Sequence, residues 1–273
     1  MTDTKAKVVG INGNMVTIEF EGNVSMNEVG YVNVDGKKLR GEIIRIRGNN
    51  AQMQIFEMTQ GIKAGDTVEL IGDLLSAELG PGLLGQTFDG LQNPLPLVAE
   101  KAGFFLERGV YVDSLPKDKK WDWTPSVKPG DKLVRGDSIG SVPEGPFTHK
   151  ILVPFDLLGM YTVKKVTPAG SYTIEDEVAV VTDEKGNDHV LKMAFKWPVK
   201  RAVDCYAERL KPEDTMVCQI RLVDTFYPVA KGGTYCVPGP FGAGKTVLQH
   251  TTSRNADVDI VIVAACGERA GEV

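Results

Sequence analysis

Between residues 239 and 246 the sequence reads Gly239-Pro240-Phe241-Gly242-Ala243-Gly244-Lys245-Thr246. This stretch matches G-x-x-x-x-G-K-[ST], the pattern of a phosphate-binding loop. Its glycines let successive backbone N–H groups point at phosphate oxygens, and a helix that begins after the loop adds the partial positive charge of its N-terminus. The apolar run Tyr235-Cys236-Val237 precedes the loop, and residues 246 to about 253 can form a helix. The sequence therefore predicts a strand, a phosphate-binding loop and a helix in succession, which a chance match in a glycine-rich turn does not explain.

Two side chains at the end of this stretch have the chemistry that phosphate binding requires. Lys245 is predicted to reach the β- and γ-phosphates of a nucleotide, and the hydroxyl of Thr246 is predicted to hold Mg²⁺. With Val247 included, residues 239–247 are the predicted phosphate-binding segment.

An almost continuous apolar run, from Asp257 to Cys266, follows the predicted helix. Such a run is typical of a parallel strand that is buried on both faces. It leads into Gly267-Glu268-Arg269, and ligands of open α/β sheets bind at the carboxyl ends of the strands. Glu268 could orient and deprotonate an attacking water there, and Arg269 could neutralise charge on a transferred phosphoryl group. Spacing alone leaves the alternative open that these two residues are a solvated charge pair at a strand end.

The composition is that of a soluble globular protein, with 42% hydrophobic and 25% charged residues among 273. No run of 18 apolar residues predicts a membrane-spanning helix, and the start of the chain lacks the features of a signal peptide. The net charge of −5 argues against nucleic acid as a partner. The four cysteines and three histidines are scattered, so we expect an intracellular protein with reduced thiols and without a zinc site.

The chain divides by sequence character into four parts. Residues 1–72 contain five or six short strands with hairpin turns, one of them at Asp35-Gly36, and predict a small β-barrel with a structural or oligomerisation role. Residues 73–109 are rich in glycine and proline and predict a connecting segment that also begins the nucleotide-binding domain. Residues 110–200 predict a second β-rich part, in which Trp121 and Trp123 are expected to pack rather than to bind a ligand. Residues 201–273 hold the phosphate-binding loop.

Several stretches closely resemble the catalytic A subunit of V-type and A-type rotary ATPases. The loop residues 239–247 carry the resemblance, together with a run of ten residues before them and with four shorter motifs. These are Asp224–Gly233, Glu78-Leu79-Gly80-Pro81-Gly82, Phe88-Asp89-Gly90, Lys196-Trp197-Pro198-Val199 and Cys266-Gly267-Glu268-Arg269.

The resemblance implies a multi-domain β plus α/β fold. Its parts are an N-terminal β-barrel, a β-rich bulge insertion and the start of a RecA-like nucleotide-binding domain. It also implies that Glu268 is the catalytic glutamate and that Arg269 contacts the nucleotide phosphates. Family members continue past the position of Val273 with the adenine pocket and a Mg²⁺-associated aspartate. We therefore expect an N-terminal fragment that is inactive alone. Ala243 stands where relatives often have Ser or Cys, so a thiol switch in the loop is not expected.

The function that the resemblance implies is ATP hydrolysis or synthesis coupled to movement of H⁺ or Na⁺ across a membrane. The implied partners are B-type subunits in an alternating hexamer, the central and peripheral stalks, and through the stalks the membrane sector. The resemblance also implies that a neighbouring subunit supplies an arginine. The implied location is cytoplasmic and peripheral to a membrane. The alternatives are a non-catalytic nucleotide-binding ring subunit, another RecA-like ATPase or a small-molecule kinase. A non-catalytic subunit predicts a degraded site, whereas Lys245, Thr246 and Glu268 are all present.

Overall fold

The computed structural model describes residues 5–103, 105, 107–206 and 208–267. The chain forms two compact units, Met1–Tyr206 and Ala207–Val273. Each unit has a hydrophobic core of its own, so the two are described separately.

The first unit begins with a closed barrel of six antiparallel strands, in the order β1-β2-β5-β4-β3-β6. The predicted β-barrel is therefore confirmed. The strands are β1 (Lys5–Asn12), β2 (Met15–Glu21), β3 (Glu28–Val34), β4 (Lys37–Arg47), β5 (Asn50–Ile55) and β6 (Thr67–Leu74).

Alternation of side chains decides which face of each barrel strand is buried. Along β2, Val16, Ile18 and Phe20 are buried in the barrel core, and the residues between them are more exposed. The turn between β3 and β4 is Asp35-Gly36, in which both residues have positive φ, +47° and +81°. Because Val34 pairs with Lys37, these two residues form the two-residue hairpin that the sequence predicts.

The segment after the barrel contains a short strand, β7 (Ser76–Leu79), and a helix, α1 (Leu95–Ala102). A turn that begins at Asp89 joins them, and its carboxylate accepts hydrogen bonds from the backbone N–H groups of Leu91 and Asn93, at 2.9 and 2.8 Å. The side-chain amide of Gln92 donates to the carbonyl of Glu78 and accepts from its N–H, both at 2.7 Å. The Gln92 side chain therefore satisfies the N–H and carbonyl groups of Glu78, as a neighbouring strand would.

The β-rich part consists of two four-stranded antiparallel sheets, ordered β11-β10-β8-β13 and β15-β14-β12-β9. One core lies between their buried residues and contains Trp121 and Trp123, which are 4% and 1% exposed. Both tryptophans pack, as predicted, and Trp123 Nε1 donates to the carbonyl of Thr167 at 3.1 Å. The strands are β8 (Trp121–Pro125), β9 (Lys132–Leu133), β10 (Ser138–Glu144), β11 (Phe147–Leu152), β12 (Tyr161–Val166), β13 (Gly170–Tyr172), β14 (Ala179–Thr182) and β15 (Asp188–Leu191).

The chain leaves this part through β16 (Phe195–Pro198), which pairs antiparallel with β7. Lys196 lies opposite Glu78 and Trp197 opposite Ala77. Two of the motifs that the sequence analysis singled out thus meet in one two-stranded ribbon, β7 with the first two residues of one motif and β16 with the first three of the other.

The second unit is small. It contains β17 (Thr215–Met216), α2 (Arg221–Phe226), β18 (Val229–Ala230) and α3 (Lys245–Asn255), with β17 paired antiparallel to β18. Its buried core is Cys218, Val223 and Val229. Among the described helices of the whole chain, none has the length and apolar character needed to cross a lipid bilayer.

Two strands predicted in the second unit are not formed. Within the described residues, neither 235–237 nor 257–267 is in a strand, and Ile262 and Val263 are 89% and 73% exposed. A parallel strand buried on both faces needs hydrogen-bonded neighbours and covering layers. In the described part of the chain no strand pairs with either run, so the apolar pattern has nothing to bury against.

Candidate phosphate-binding site

The predicted phosphate-binding loop lies immediately before α3. Residues 241–244 form turns and bends, and the helix begins at Lys245. Within the loop, the Ala243 N–H donates to the carbonyl of Pro240 at 3.3 Å. The loop and the helix of the predicted motif are therefore present, whereas the strand before them is not.

Glycine is favoured at three positions of the loop, for two different reasons. Gly242 and Gly244 have φ of +78° and +83°, in the left-handed region that side chains with a Cβ rarely adopt. Gly239 has a different constraint, because a Cβ there would lie 3.0 Å from Cβ of Ala243 and 3.3 Å from Cγ of Lys245. These positions keep the backbone of the loop close to the start of the helix.

The start of α3 has the electrostatic character of an anion site. Gly244 is the N-cap and has no side chain to satisfy the first N–H groups of the helix, and no acidic residue lies in the first turn, all of which is described. Such free N–H groups carry partial positive charge and bind phosphate or sulfate in many proteins. Lys245 adds a full charge at the same point, and its Nζ lies 5.9 Å from the ring centroid of Phe241.

Side chains that could contact a phosphate are accessible. Lys245 and Thr246 are half-buried, and Phe241 and Val247 are exposed. The loop, the free helix N-terminus and Lys245 together fit a phosphate group, because they supply N–H donors and a positive charge, and the described first turn of α3 holds no carboxylate. Thr246 offers the hydroxyl oxygen that a phosphate-bound Mg²⁺ prefers as a ligand.

One face of α3 is attached to the core of its unit. Leu248 packs against the cluster of Cys218, Val223 and Val229, while no residue of α3, a fully described helix, is itself fully buried. Polar side chains of the helix bond back to carbonyls four residues earlier, for instance Thr251 Oγ1 to the carbonyl of Val247 at 2.8 Å. Contact through Leu248 therefore connects the start of the helix to the core.

A polar contact that the sequence analysis missed organises that core. The Sγ and the N–H of Cys218 both donate to Oδ1 of Asp224, at 2.9 and 3.0 Å. The hydrogen bonds from Cys218 hold the pKa of the Asp224 carboxyl below its usual range, and burial, with the nearby carboxylate, raises the pKa of the thiol. No sequence pattern indicates this contact, because it depends on how the short helix α2 folds back onto Cys218.

Two predicted site residues, Glu268 and Arg269, lie outside the described residues. The last described residue before them is Gly267, at φ +76°. The described residues contain no group of three or more His, Cys, Asp or Glu side chains placed to hold a metal ion. The roles predicted for Glu268 and Arg269 therefore remain predictions.

Three family models match separate parts of the chain, and the parts agree with the architecture described above. Residues 8–72 match the β-barrel domain of the ATP synthase alpha/beta family. Residues 112–200 match the barrel-sandwich domain of ATP synthase alpha/beta subunits. Residues 219–273, which contain the loop and α3, match the nucleotide-binding domain of that family. The chain belongs to the ATP synthase alpha/beta family.

Three relatives with high identity to this chain are alpha chains of V-type ATP synthases. The chain is 67% identical to the V-type ATP synthase alpha chain of Treponema denticola and 62% identical to alpha chain 1 of Treponema pallidum, in both cases over all 273 residues. It is 57% identical over 271 residues to the alpha chain of Borrelia recurrentis. The chain spans 46–47% of the length of these relatives. The resemblance proposed from its motifs is thus confirmed.

Proposed function

We propose that this chain is part of the catalytic subunit of a rotary V-type ATPase, which hydrolyses or synthesises ATP as ions cross a membrane. The observation that carries the proposal is the glycine loop at the free N-terminus of α3, within the segment that matches a nucleotide-binding domain. The names of the relatives support the class of enzyme.

Phosphate binding is the first task that the described residues can perform. In this proposal the backbone N–H groups of residues 239–247 bind the phosphate oxygens of ATP or ADP, and Lys245 neutralises charge on the β- and γ-phosphates. Thr246 would hold Mg²⁺, and the ion would supply positive charge beside the phosphates when bound.

Water activation is the second task, and we assign it to Glu268. A carboxylate at the end of the apolar run orients the attacking water and accepts its proton, while Arg269 contacts the phosphates. A neighbouring subunit supplies a further arginine, so the complete site belongs to the ring of subunits.

The assembly follows from the class of enzyme. We place the chain in an alternating hexamer with B-type subunits, connected by stalks to a membrane sector that moves H⁺ or Na⁺. This places it in the cytoplasm, peripheral to the membrane. We also propose that the chain divides into the four parts predicted from its sequence, with bounds at residues 1–72, 73–109, 110–200 and 201–273.

ATP hydrolysis by the full-length protein, assembled with its partner subunit, tests the assignment of Glu268. Glu268→Gln removes the base but keeps the size of the side chain. We expect turnover to fall by roughly 10²- to 10⁴-fold, while nucleotide binding is retained.

Glu272→Gln is the matched control, since it makes the same chemical change four residues later in the sequence. Its turnover is expected to stay near that of the wild type. Near-normal turnover in Glu268→Gln would contradict the assigned role.

A further inference from the structure

The outer face of barrel strand β4 is covered, although outer faces of small barrels are commonly exposed to solvent. Leu39 and Ile43 point into the barrel core, so Arg40 and Glu42, which alternate with them, point outward. Glu42 is nevertheless only 4% exposed. Other parts of the chain must therefore lie over this face.

The segment Glu107–Tyr111, which leads into the barrel-sandwich part, lies over Arg40. The Tyr111 hydroxyl accepts a hydrogen bond from the N–H of Arg40 at 2.8 Å and donates to Oε1 of Glu57. The guanidinium of Arg40 lies 4.5 Å from the ring centroid of Tyr111. Burial, and then the hydrogen bond to Glu57, raise the pKa of the Tyr111 hydroxyl well above its usual range. The hydroxyl therefore remains a donor at all physiological pH values.

Three other residues of this segment, all of which precede Tyr111, also contact the barrel. The N–H of Gly109 donates to Oε2 of Glu57 at 2.6 Å, and Glu107 pairs with Lys37 at 2.8 Å. Arg108 donates to the carbonyls of Met58 and Gln60. Gly109 has φ of +73°, and a Cβ there would lie 3.2 Å from Cβ of Lys37. A glycine is thus strongly favoured at this position, where the segment passes Lys37 of β4.

Lys200, the last residue of the barrel-sandwich part, lies over Glu42. Its Nζ is 2.7 Å from Oε2 of Glu42 and 3.2 Å from Oδ1 of Asn27. Among the described residues, Oε1 of Glu42 is buried without a hydrogen-bond partner. The charge of Glu42 therefore depends on Lys200 for compensation.

We propose that these contacts form a barrel clamp, which makes the barrel and the barrel-sandwich part, residues 112–200, one mechanical body. The clamp consists of Glu107–Tyr111 and Lys200, bound to Arg40, Glu42 and Glu57 of the barrel. The chain is thus held to β4 just before the 112–200 part, at Arg40, and at the end of that part, at Glu42. These two positions are two residues apart on the strand. Two attachments fix orientation as well as position, whereas a single attachment permits rotation. None of the clamp residues belongs to the proposed phosphate-binding site, so the clamp proposal is independent of the proposed function.

Native-state hydrogen exchange of the full-length protein in increasing denaturant tests the clamp. In the wild type, peptides from the cores of β4 and β14 are expected to exchange through one shared opening, with the same denaturant dependence. Tyr111→Phe removes both hydrogen bonds of the hydroxyl, and Lys200→Met removes the partner of Glu42. In the double variant, we expect β14 to open separately from β4, with opening equilibrium constants that differ by about tenfold or more.

Lys38→Met is the matched control, because it breaks an ion pair within the barrel, Lys38–Glu69, neither of whose residues belongs to the clamp. It is expected to leave the shared opening intact. If the double variant does not fold, Tyr111→Phe alone is used, and faster exchange of the Arg40 amide with separate opening of β14 is the expected result. Separate openings in the wild type, or a shared opening that persists in the variants, would overturn the proposal.

Discussion

Cys218 is a thiol that burial makes unreactive. It is 0% exposed and donates to Asp224, whereas Cys236 and Cys266 are exposed. Because burial and the carboxylate raise its pKa, Cys218 has a smaller thiolate fraction at any given pH than an ordinary exposed thiol. We expect iodoacetamide to label Cys218 at least about tenfold more slowly than Cys236, as measured by peptide mass spectrometry.

Asp224→Asn tests the cause of that slow labelling. Loss of the negative charge lowers the pKa of the Cys218 thiol, so its labelling is expected to accelerate. Asp257→Asn, a change at an exposed aspartate of the same unit, is expected to have no effect. Equal labelling rates for Cys218 and Cys236 in the wild type would contradict the burial described for this core.

The residues of the loop could be predicted from the sequence because their spacing is local. Gly242, Gly244 and Lys245 act within one turn of backbone, so the pattern alone indicates the geometry. The contact of Cys218 with Asp224 depends on how a short helix folds back, and no pattern specifies that. Glu268 is harder still, because its role depends on the strand before it.

Gly140 shows how one element of the barrel-sandwich part constrains another. It lies in β10, and a Cβ there would overlap the ring of Trp123 and lie 2.6 Å from the carbonyl of Thr124. We expect Gly140→Ala to lower the free energy of unfolding by about 1–3 kcal/mol, because the buried ring must move. Denaturant unfolding followed by tryptophan fluorescence measures the change.

Gly90→Ala is the control for this substitution. Gly90 has ordinary φ, and nothing described lies within 4 Å of the added Cβ. Its effect is expected to stay within about 0.5 kcal/mol. If Gly140→Ala is as mild as Gly90→Ala, the packing described for Trp123 is wrong.

Strands were predictable where the strand that they pair with is close in sequence. Strands β2 and β5 alternate, and the Asp35-Gly36 turn joins two neighbouring strands, so part of the barrel follows from local signals. The run 257–266 carries an equally clear apolar pattern, yet it is not a strand. Its prediction was wrong for the described residues because a sheet also needs a second strand to pair with.

At the scale of the molecule, the segment between barrel and barrel-sandwich part does more than connect them. The sequence indicated turns from residue 73 to residue 109, and nothing in their spacing indicated contacts back to the barrel. Glu57 and Tyr111 are 54 residues apart in sequence and meet only in the folded chain. The clamp therefore could not have been predicted from periodicity or motifs.

The central claim is that residues 239–247 bind the phosphates of a nucleotide, and the affinity of the full-length protein for Mg·ATP tests it most directly. Arg254→Met is the control for Lys245→Met, because it removes a cation from the other end of the same helix. Loss of a charge-assisted hydrogen bond predicts roughly 10- to 100-fold weaker binding for Lys245→Met, with little change for Arg254→Met. Wild-type affinity in Lys245→Met, measured by calorimetry, would contradict the account.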